Sequence, residues 1–214
     1  MIRLIIVCEG ETEQEFCKHI LAPHLLRMNI VLEFPLIKRS GGGIGSWESL
    51  KKQIKGHLSE ANAYVSLFID MYGIKDSYNF PNWLSSKVIG DVKQRMRDVE
   101  CGMEIEIGNP RFIPNIIVHE FETILFSDGD IVKNQIPKNE LNETDLDRII
   151  SSYPDIELIN NGATTAPSKR LEIIIKGYVK SIYGHYLAEE IGLVRIRTRC
   201  FKFDQWIIKL EALR

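Results

Sequence analysis

Glu9, Asp70 and the pair Glu120/Glu122 each stand at the end of an apolar run: Leu4-Ile5-Ile6-Val7 before Glu9, Tyr64 to Ile69 before Asp70, and Pro114 to Val118 before His119-Glu120-Phe121-Glu122. Carboxylates are hard oxygen donors, and one or two of them, completed by waters and substrate phosphate oxygens, make the usual Mg²⁺ site. Mn²⁺ takes the same donors. Two such ions about 3.5–4 Å apart stabilise both the attacking and the leaving oxygen of an in-line phosphoryl displacement. Each acid also has a plainer explanation, because acids are common in turns and at helix starts. Their recurrence at three strand ends is what singles them out. Around Glu9, the segment C-E-G-E-T-E-Q-E-F adds Glu11, Glu13 and Glu15. Thr12 followed by Glu15 matches a capping box, and Glu11 reads as a loop acid drawn to the positive helix end. Glu13 is open between helix dipole and a second-metal role. Glu9 precedes the cap and is not explained by it.

Stabilising the charge of a phosphoryl-transfer transition state calls for a cation. Lys169 in A-P-S-K-R-L is the candidate, since Pro167 suits a first helical turn and places Ser168-Lys169 where phosphate is favoured. The alternative is a solvated helix start. Arg195, Arg197 and Arg199 alternate in V-R-I-R-T-R, so an extended chain would put them on one face. That face is either a phosphate-contact stripe, which Lys202 would lengthen, or a charged strand edge. His119 lacks the second histidine of H-E-x-x-H, Thr123 standing nearest that place, which disfavours zinc hydrolysis. The glycine-rich Ser40 to Ser46 is not a Walker A motif, as no G-K-[ST] follows; it reads as a connector or as a loop that closes over substrate.

The elements that must position these residues follow from periodicity. Ile2 to Val7 is a continuous β-branched run, suited to a strand covered on both faces. A helix is expected from Glu13 to Met28, with Phe16, Ile20, Leu21, Leu25 and Met28 buried. Val31 to Ile37, Tyr64 to Ile69 and Pro114 to Val118 read as further strands. Helices are expected at 47–61 and 81–99. Strand, helix, strand alternation is the pattern of a mostly parallel α/β sheet flanked by helices. Beyond residue 130 the texture changes to short helices, at 143–153, 167–176, 186–191 and 204–213. The expected organisation is an α/β domain over 1–129 with a helical C-terminal region over 130–214 packed on it. Trp47, Trp83 and Trp206, each near Leu or Ile at helical spacing, are expected in the core.

A chain of 214 residues with 44% hydrophobic content is long enough to bury a sizeable core. Its net charge of -2 excludes a polycation that condenses unaided on nucleic acid, so any phosphate-binding surface is local or cation-assisted. The four cysteines form no C-x-x-C pair, no secretory pattern opens the chain, and no apolar run reaches membrane-spanning length. A reduced, cytoplasmic protein without a membrane partner is the expectation.

An apolar strand ending in Glu-Gly before a helix, with a later apolar strand ending in an acidic turn, resembles a Toprim domain. That metal-binding fold is shared by type IA and II topoisomerases, primases and nucleases of the overcoming-lysogenization-defect (OLD) family. More narrowly, V-C-E-G-E-T-E-Q-E-F, F-I-D-M-Y-G, H-E-F-E-T-I-L-F-S-D, T-A-P-S-K-R-L and F-x-x-W-I-x-x-L together resemble a bacterial Toprim-like family of unknown function (DUF4276 type), often seen beside ATPase genes. The narrower match spans nearly the whole chain. It implies a Toprim-like α/β fold, with Glu9 at the Toprim glutamate and Asp70 at the first acid of the D-x-D motif. The activity implied is a Mg²⁺- or Mn²⁺-dependent nuclease acting on DNA or RNA beside an ATPase partner, in a defence-type system. Tyr72 stands where the second D-x-D acid belongs, so Glu120 or Glu122 is left to supply a ligand, or the site is weakened. A topoisomerase needs a tyrosine on a separate cleavage domain, for which the chain is too short, and no template-binding apparatus of a primase is found. Phosphodiester hydrolysis is the least demanding activity left. The competing readings are a non-catalytic partner or regulatory module of an ATPase and an enzyme on a small phosphorylated substrate. The nucleic acid type and the oligomeric state stay open.

Overall fold

The structure is a computed structural model that describes residues 1–38, 43–160, 162 and 164–213. Ser40, Gly41 and Gly42 of the glycine-rich segment lie outside the described residues. The chain divides into two compact units, one of Met1–Ile117 with Trp206–Arg214, the other of Val118–Gln205.

The first unit is α/β. Its sheet has five strands among the described residues, all parallel: β1 (Ile2–Cys8), β2 (Ile30–Glu33), β3 (Ala63–Asp70), β4 (Phe112–Ile113) and β5 (Ile116–Ile117). The order is β2-β1-β3-β4, with β5 also pairing β3. β1 lies between β2 and β3, in register Ile2↔Ile30 and Arg3↔Ala63, and is buried from Leu4 to Cys8, as its continuous apolar run requires. Prolines shorten two expected strands. Pro35 has no N–H, and after Glu33 pairing resumes only at the single bridge Cys8↔Leu36. The expected strand at 114–118 forms only as β5, and Pro114, which likewise has no N–H, separates it from β4 just upstream. There Asn115 Nδ2 donates to Leu67 O at 3.3 Å, and Glu100 Oε1 accepts the Ile116 N–H at 2.7 Å, so side chains replace part of the ladder.

Helix α1 (Glu11–Phe16) begins two residues earlier than expected. Gly10 is its N-cap, and Glu13, not Glu15, reaches back to the cap N–H, with Gly10 N to Glu13 Oε2 at 3.0 Å. Glu15 instead pairs with Lys18 and His19 on the surface. The helix widens into a π turn at Cys17–Leu21 before α2 (Ala22–Leu26). Pro23 cannot donate and its ring would crowd the carbonyl four residues back, which the wider turn relieves. Phe16, Ile20, Leu21 and Leu25 are buried as expected, whereas Met28 lies past the helix and is exposed. α3 (Trp47–Leu58) starts at Ser46, whose hydroxyl accepts the Ser49 N–H, and buries Trp47, Leu50, Ile54 and Leu58. The helix expected at 81–99 forms later, as α4 (Val92–Ile107). Asp91 caps it by accepting the Gln94 N–H at 2.8 Å, and Gly108, at φ +64°, ends it. Before it, Asn79 and Asn82 adopt positive φ and Ser85–Val88 is only a 3₁₀ turn. Trp47 and Trp83 lie in the core of this unit, and Trp206 packs on Phe68 with centroids 5.2 Å apart.

The second unit is helical: α5 (Gly129–Gln135), α6 (Glu143–Ser152), α7 (Pro167–Ile174), α8 (Lys180–Ile191) and α9 (Leu193–Arg199). The 3₁₀ segment Phe121–Ser127 runs through its interior with every residue buried. The last helix, α10 (Phe201–Glu211), contributes residues to both units. V-R-I-R-T-R is helical, so the three arginines do not line one face: Arg195 and Arg199, one turn apart, share a face and Arg197 is turned away from it. Arg195 pairs with Asp128 at 2.9 Å and Arg197 with Asp204, while Lys202 is buried. No helix among the described residues is long and apolar enough to cross a membrane.

Candidate functional site

Glu9 follows β1 and extends its ladder by one step, its N–H donating to Phe68 O at 3.0 Å. That step sets its side chain beside the end of β3, where Glu9 Oε2 accepts the Asp70 N–H at 2.8 Å. Asp70 is the last residue of β3 and is buried. The Glu9 carboxylate is thus anchored on the Asp70 backbone at the carboxyl ends of neighbouring parallel strands, the place where open α/β sheets collect their chemistry. The turn Met71–Gly73 follows, with Gly73 against the Glu9 carboxylate. A Cβ at Gly73 would lie 2.6 and 2.9 Å from the two oxygens of Glu9 and 2.5 Å from Ile44 Cδ1, so only glycine leaves Glu9 where it is. Gly73→Ala is expected to push the Glu9 carboxylate off the Asp70 N–H at a stability cost of about 1–3 kcal/mol. Amide exchange at Asp70 would speed up if this is right, and unchanged protection would contradict it.

Glu13 is buried and its carboxylate serves the Gly10 N–H. Nearby, the Cys8 and Cys17 sulfurs lie 3.8 Å apart. Burial, Cys8 and the Glu13 charge together push the Cys17 thiol up, so it stays protonated.

The remaining expected residues lie in the second unit. His119 has φ +65°, in the left-handed region, and its Nδ1 is 3.4 Å from Asn160 Nδ2. Burial pushes its imidazole down to about 4. The ring is therefore neutral at pH 7, and its stability contribution is fully present above the ordinary value of 6.5 and lost as pH falls from there toward 4. The His119 ring proton shifts in NMR spectra are expected to stay constant from pH 8 to 5; a midpoint near 6.5 would contradict this. Glu120 Oε2 accepts the Ser168 N–H, in the first turn of α7, at 2.9 Å. Glu122 is fully buried, with Oε2 3.1 Å from Lys180 Nζ. Desolvation raises its carboxyl above the ordinary value and the Lys180 charge draws it back. Glu122 Oε1 and the Tyr178 hydroxyl are both buried and find no hydrogen-bond partner among the described residues. Lys169 is exposed, its ammonium 2.7 Å from Glu172 on the same helix.

Sequence reasoning missed Gly73 and Lys180. The M-Y-G turn after Asp70 carried a signal for the first; nothing in V-K-S carried one for the second, since its partner lies 58 residues away. Among the described residues, no group of three or more His, Cys, Asp or Glu side chains is arranged to hold a metal ion. What the first unit offers is a pair of hard oxygen donors, one anchored by a backbone N–H, beside a wall that a single Cβ would fill. That donor set fits one Mg²⁺ or Mn²⁺ whose shell is completed by water and phosphate oxygens.

The model of the domain of unknown function DUF4276 matches residues 8–211, and the chain belongs to that family. No curated protein and no solved structure matches it.

Proposed function

We propose that this DUF4276 protein is a Mg²⁺- or Mn²⁺-dependent nuclease, a phosphodiesterase of Toprim type that acts on DNA or RNA with an ATPase partner. The observation that carries the reading is the anchoring of Glu9 on the Asp70 N–H at the ends of β1 and β3. Glu9 and Asp70 would hold the ion, which when bound supplies positive charge to the scissile phosphate. The Asp70 N–H fixes the orientation of the Glu9 carboxylate, so that it does not have to be ordered as substrate arrives. Gly73 keeps the adjoining wall bare of side chain.

Glu9→Gln keeps the shape and an acceptor for the Asp70 N–H but removes the charge. A direct ligand costs at least what outer-shell partners of a metal cost, so a loss of about 100-fold in cleavage rate is expected. The test incubates wild type and Glu9→Gln with single- and double-stranded DNA and RNA, in Mg²⁺, Mn²⁺ or chelator, with and without the ATPase. Chelator is expected to abolish cleavage. Equal activity in wild type and variant would remove Glu9 from the mechanism.

One observation favours a second reading, a non-catalytic partner or regulatory module of an ATPase. Tyr72, partly exposed, occupies the turn position where a second acid would stand. Under this reading wild type cleaves nothing under any of these conditions, yet still binds the ATPase and alters its turnover.

A further inference from the structure

Helices α6 and α7 of the second unit flank a cavity of about 430 Å³ that the Glu9–Asp70 pair does not involve. This is within the range of small-molecule pockets, roughly 300–1,000 Å³. Its apolar wall includes Ile149 on α6 and Ile173 on α7. Ile173 is 72% exposed, a large aliphatic side chain held at the mouth with little to cover it. The polar wall is built around Arg170, from the same A-P-S-K-R-L stretch as Lys169. Its Nε donates to Thr165 O at 2.9 Å and its Nη2 to the Tyr153 hydroxyl at 3.1 Å, with the guanidinium carbon 5.4 Å from the Tyr153 ring centroid. Two of the five N–H groups are spent on fixing the plane of the fork. Arg148 adds a second cation at the rim, tethered to Asp145 at 2.6 Å and largely exposed.

A planar, pre-oriented guanidinium is suited to phosphate, and an aromatic ring beside aliphatic side chains is suited to a flat apolar body. We propose that this cavity binds a nucleoside monophosphate, with the phosphate on Arg170 and Arg148 and the base along Tyr153, Ile149 and Ile173. The two arginines outweigh the single Asp145, leaving the rim net positive for an anion. A nucleoside alone satisfies only the apolar wall, and inorganic phosphate only the cations. The nucleotide has both parts.

Isothermal titration calorimetry in chelator, on the full chain, tests this independently of metal chemistry. The titrants are adenosine and uridine 5′-monophosphate, adenosine, and inorganic phosphate. The nucleotides are expected to bind at least about tenfold more tightly than adenosine or phosphate. Ile173→Asp, at an exposed position, is expected to weaken nucleotide binding about tenfold with an unchanged thermal midpoint, and Arg170→Lys by a similar factor through loss of the planar fork. Glu9→Gln is expected to bind as wild type does, so that failure of the nuclease reading and failure of this one are distinguishable. Nucleotide affinity no greater than that for phosphate, or wild-type affinity in Ile173→Asp, would overturn the proposal.

Discussion

Lys180→Met is expected to destabilise the protein by about 2–3 kcal/mol at pH 8, with the deficit shrinking as pH falls. Removing one partner of a fully buried ion pair costs about 3–5 kcal/mol, and the lower figure allows for the partial exposure of Lys180. The loss comes from Glu122, which sits with no solvent exposure and would keep its charge without its counter-ion. Burial already holds its carboxyl above the ordinary value of 4.5, against the pull of Lys180. A carboxyl raised in the folded state contributes most below its unfolded value and loses that contribution as pH rises through the folded one. Without Lys180 the folded value rises further, so the gap between variant and wild type is widest at high pH and narrows as Glu122 takes up its proton. Urea unfolding of both proteins at pH 8 and pH 5 measures it. The double variant Lys180→Met/Glu122→Met is expected to regain most of the loss, because two apolar side chains can replace a buried pair at little cost. A deficit that stays constant between the two pH values would mean that Lys180 acts through its packing over Phe121 instead.

Glu157→Ala is expected to cost more, about 3–5 kcal/mol. The Glu157 carboxylate, buried in the 3₁₀ turn Ile156–Leu158, accepts the N–H groups of Lys202 and Phe203 at 2.8 and 2.9 Å. These are first-turn donors of α10, which have no partner inside their own helix. Hydrogen bonds to a charged group contribute roughly 1.5–3 kcal/mol each, and the alanine variant loses both of these. Glu157→Gln retains an acceptor oxygen and is expected to lose about half as much. Equal loss in the alanine and glutamine variants, read from urea midpoints at constant slope, would contradict this account.

The parts of the fold that could be read from the sequence were those fixed locally. The β-branched run before Cys8 had to be a covered strand, and the spacing of Trp47, Leu50, Ile54 and Leu58 had to make a buried helix face. Glu9 and Asp70 were legible for the same reason, since each terminates such a run. Misreadings arose where two local signals competed. Thr12 with Glu15 and Gly10 with Glu13 are equally spaced, and the glycine cap prevailed with Glu13 buried beneath the helix start. Between 81 and 99, Pro81 looked like a helix opening, but the stronger signal was Asp91, whose carboxylate caps the helix that forms. In V-R-I-R-T-R the alternation suited a strand, yet Asp128 and Asp204 hold Arg195 and Arg197 on a helix. The pairing of Lys180 with Glu122 had no local signal at all, because it depends on how α8 lies against the 3₁₀ segment Phe121–Ser127.

Trp206 ties the order of synthesis to the completion of the sheet. Its indole N–H donates to the Ser66 hydroxyl at 2.9 Å, across 140 residues, and its ring covers Phe68 on β3. At about 5–20 residues per second on the ribosome, β3 waits roughly 7–30 s for that cover. All of Val118–Gln205 emerges in the meantime, so the second unit has its full sequence available before the first does. A nascent chain stalled before Trp206 therefore lacks one of the two aromatic rings that pack on Phe68, Phe16 being the other, and presents apolar surface of the kind that chaperones bind.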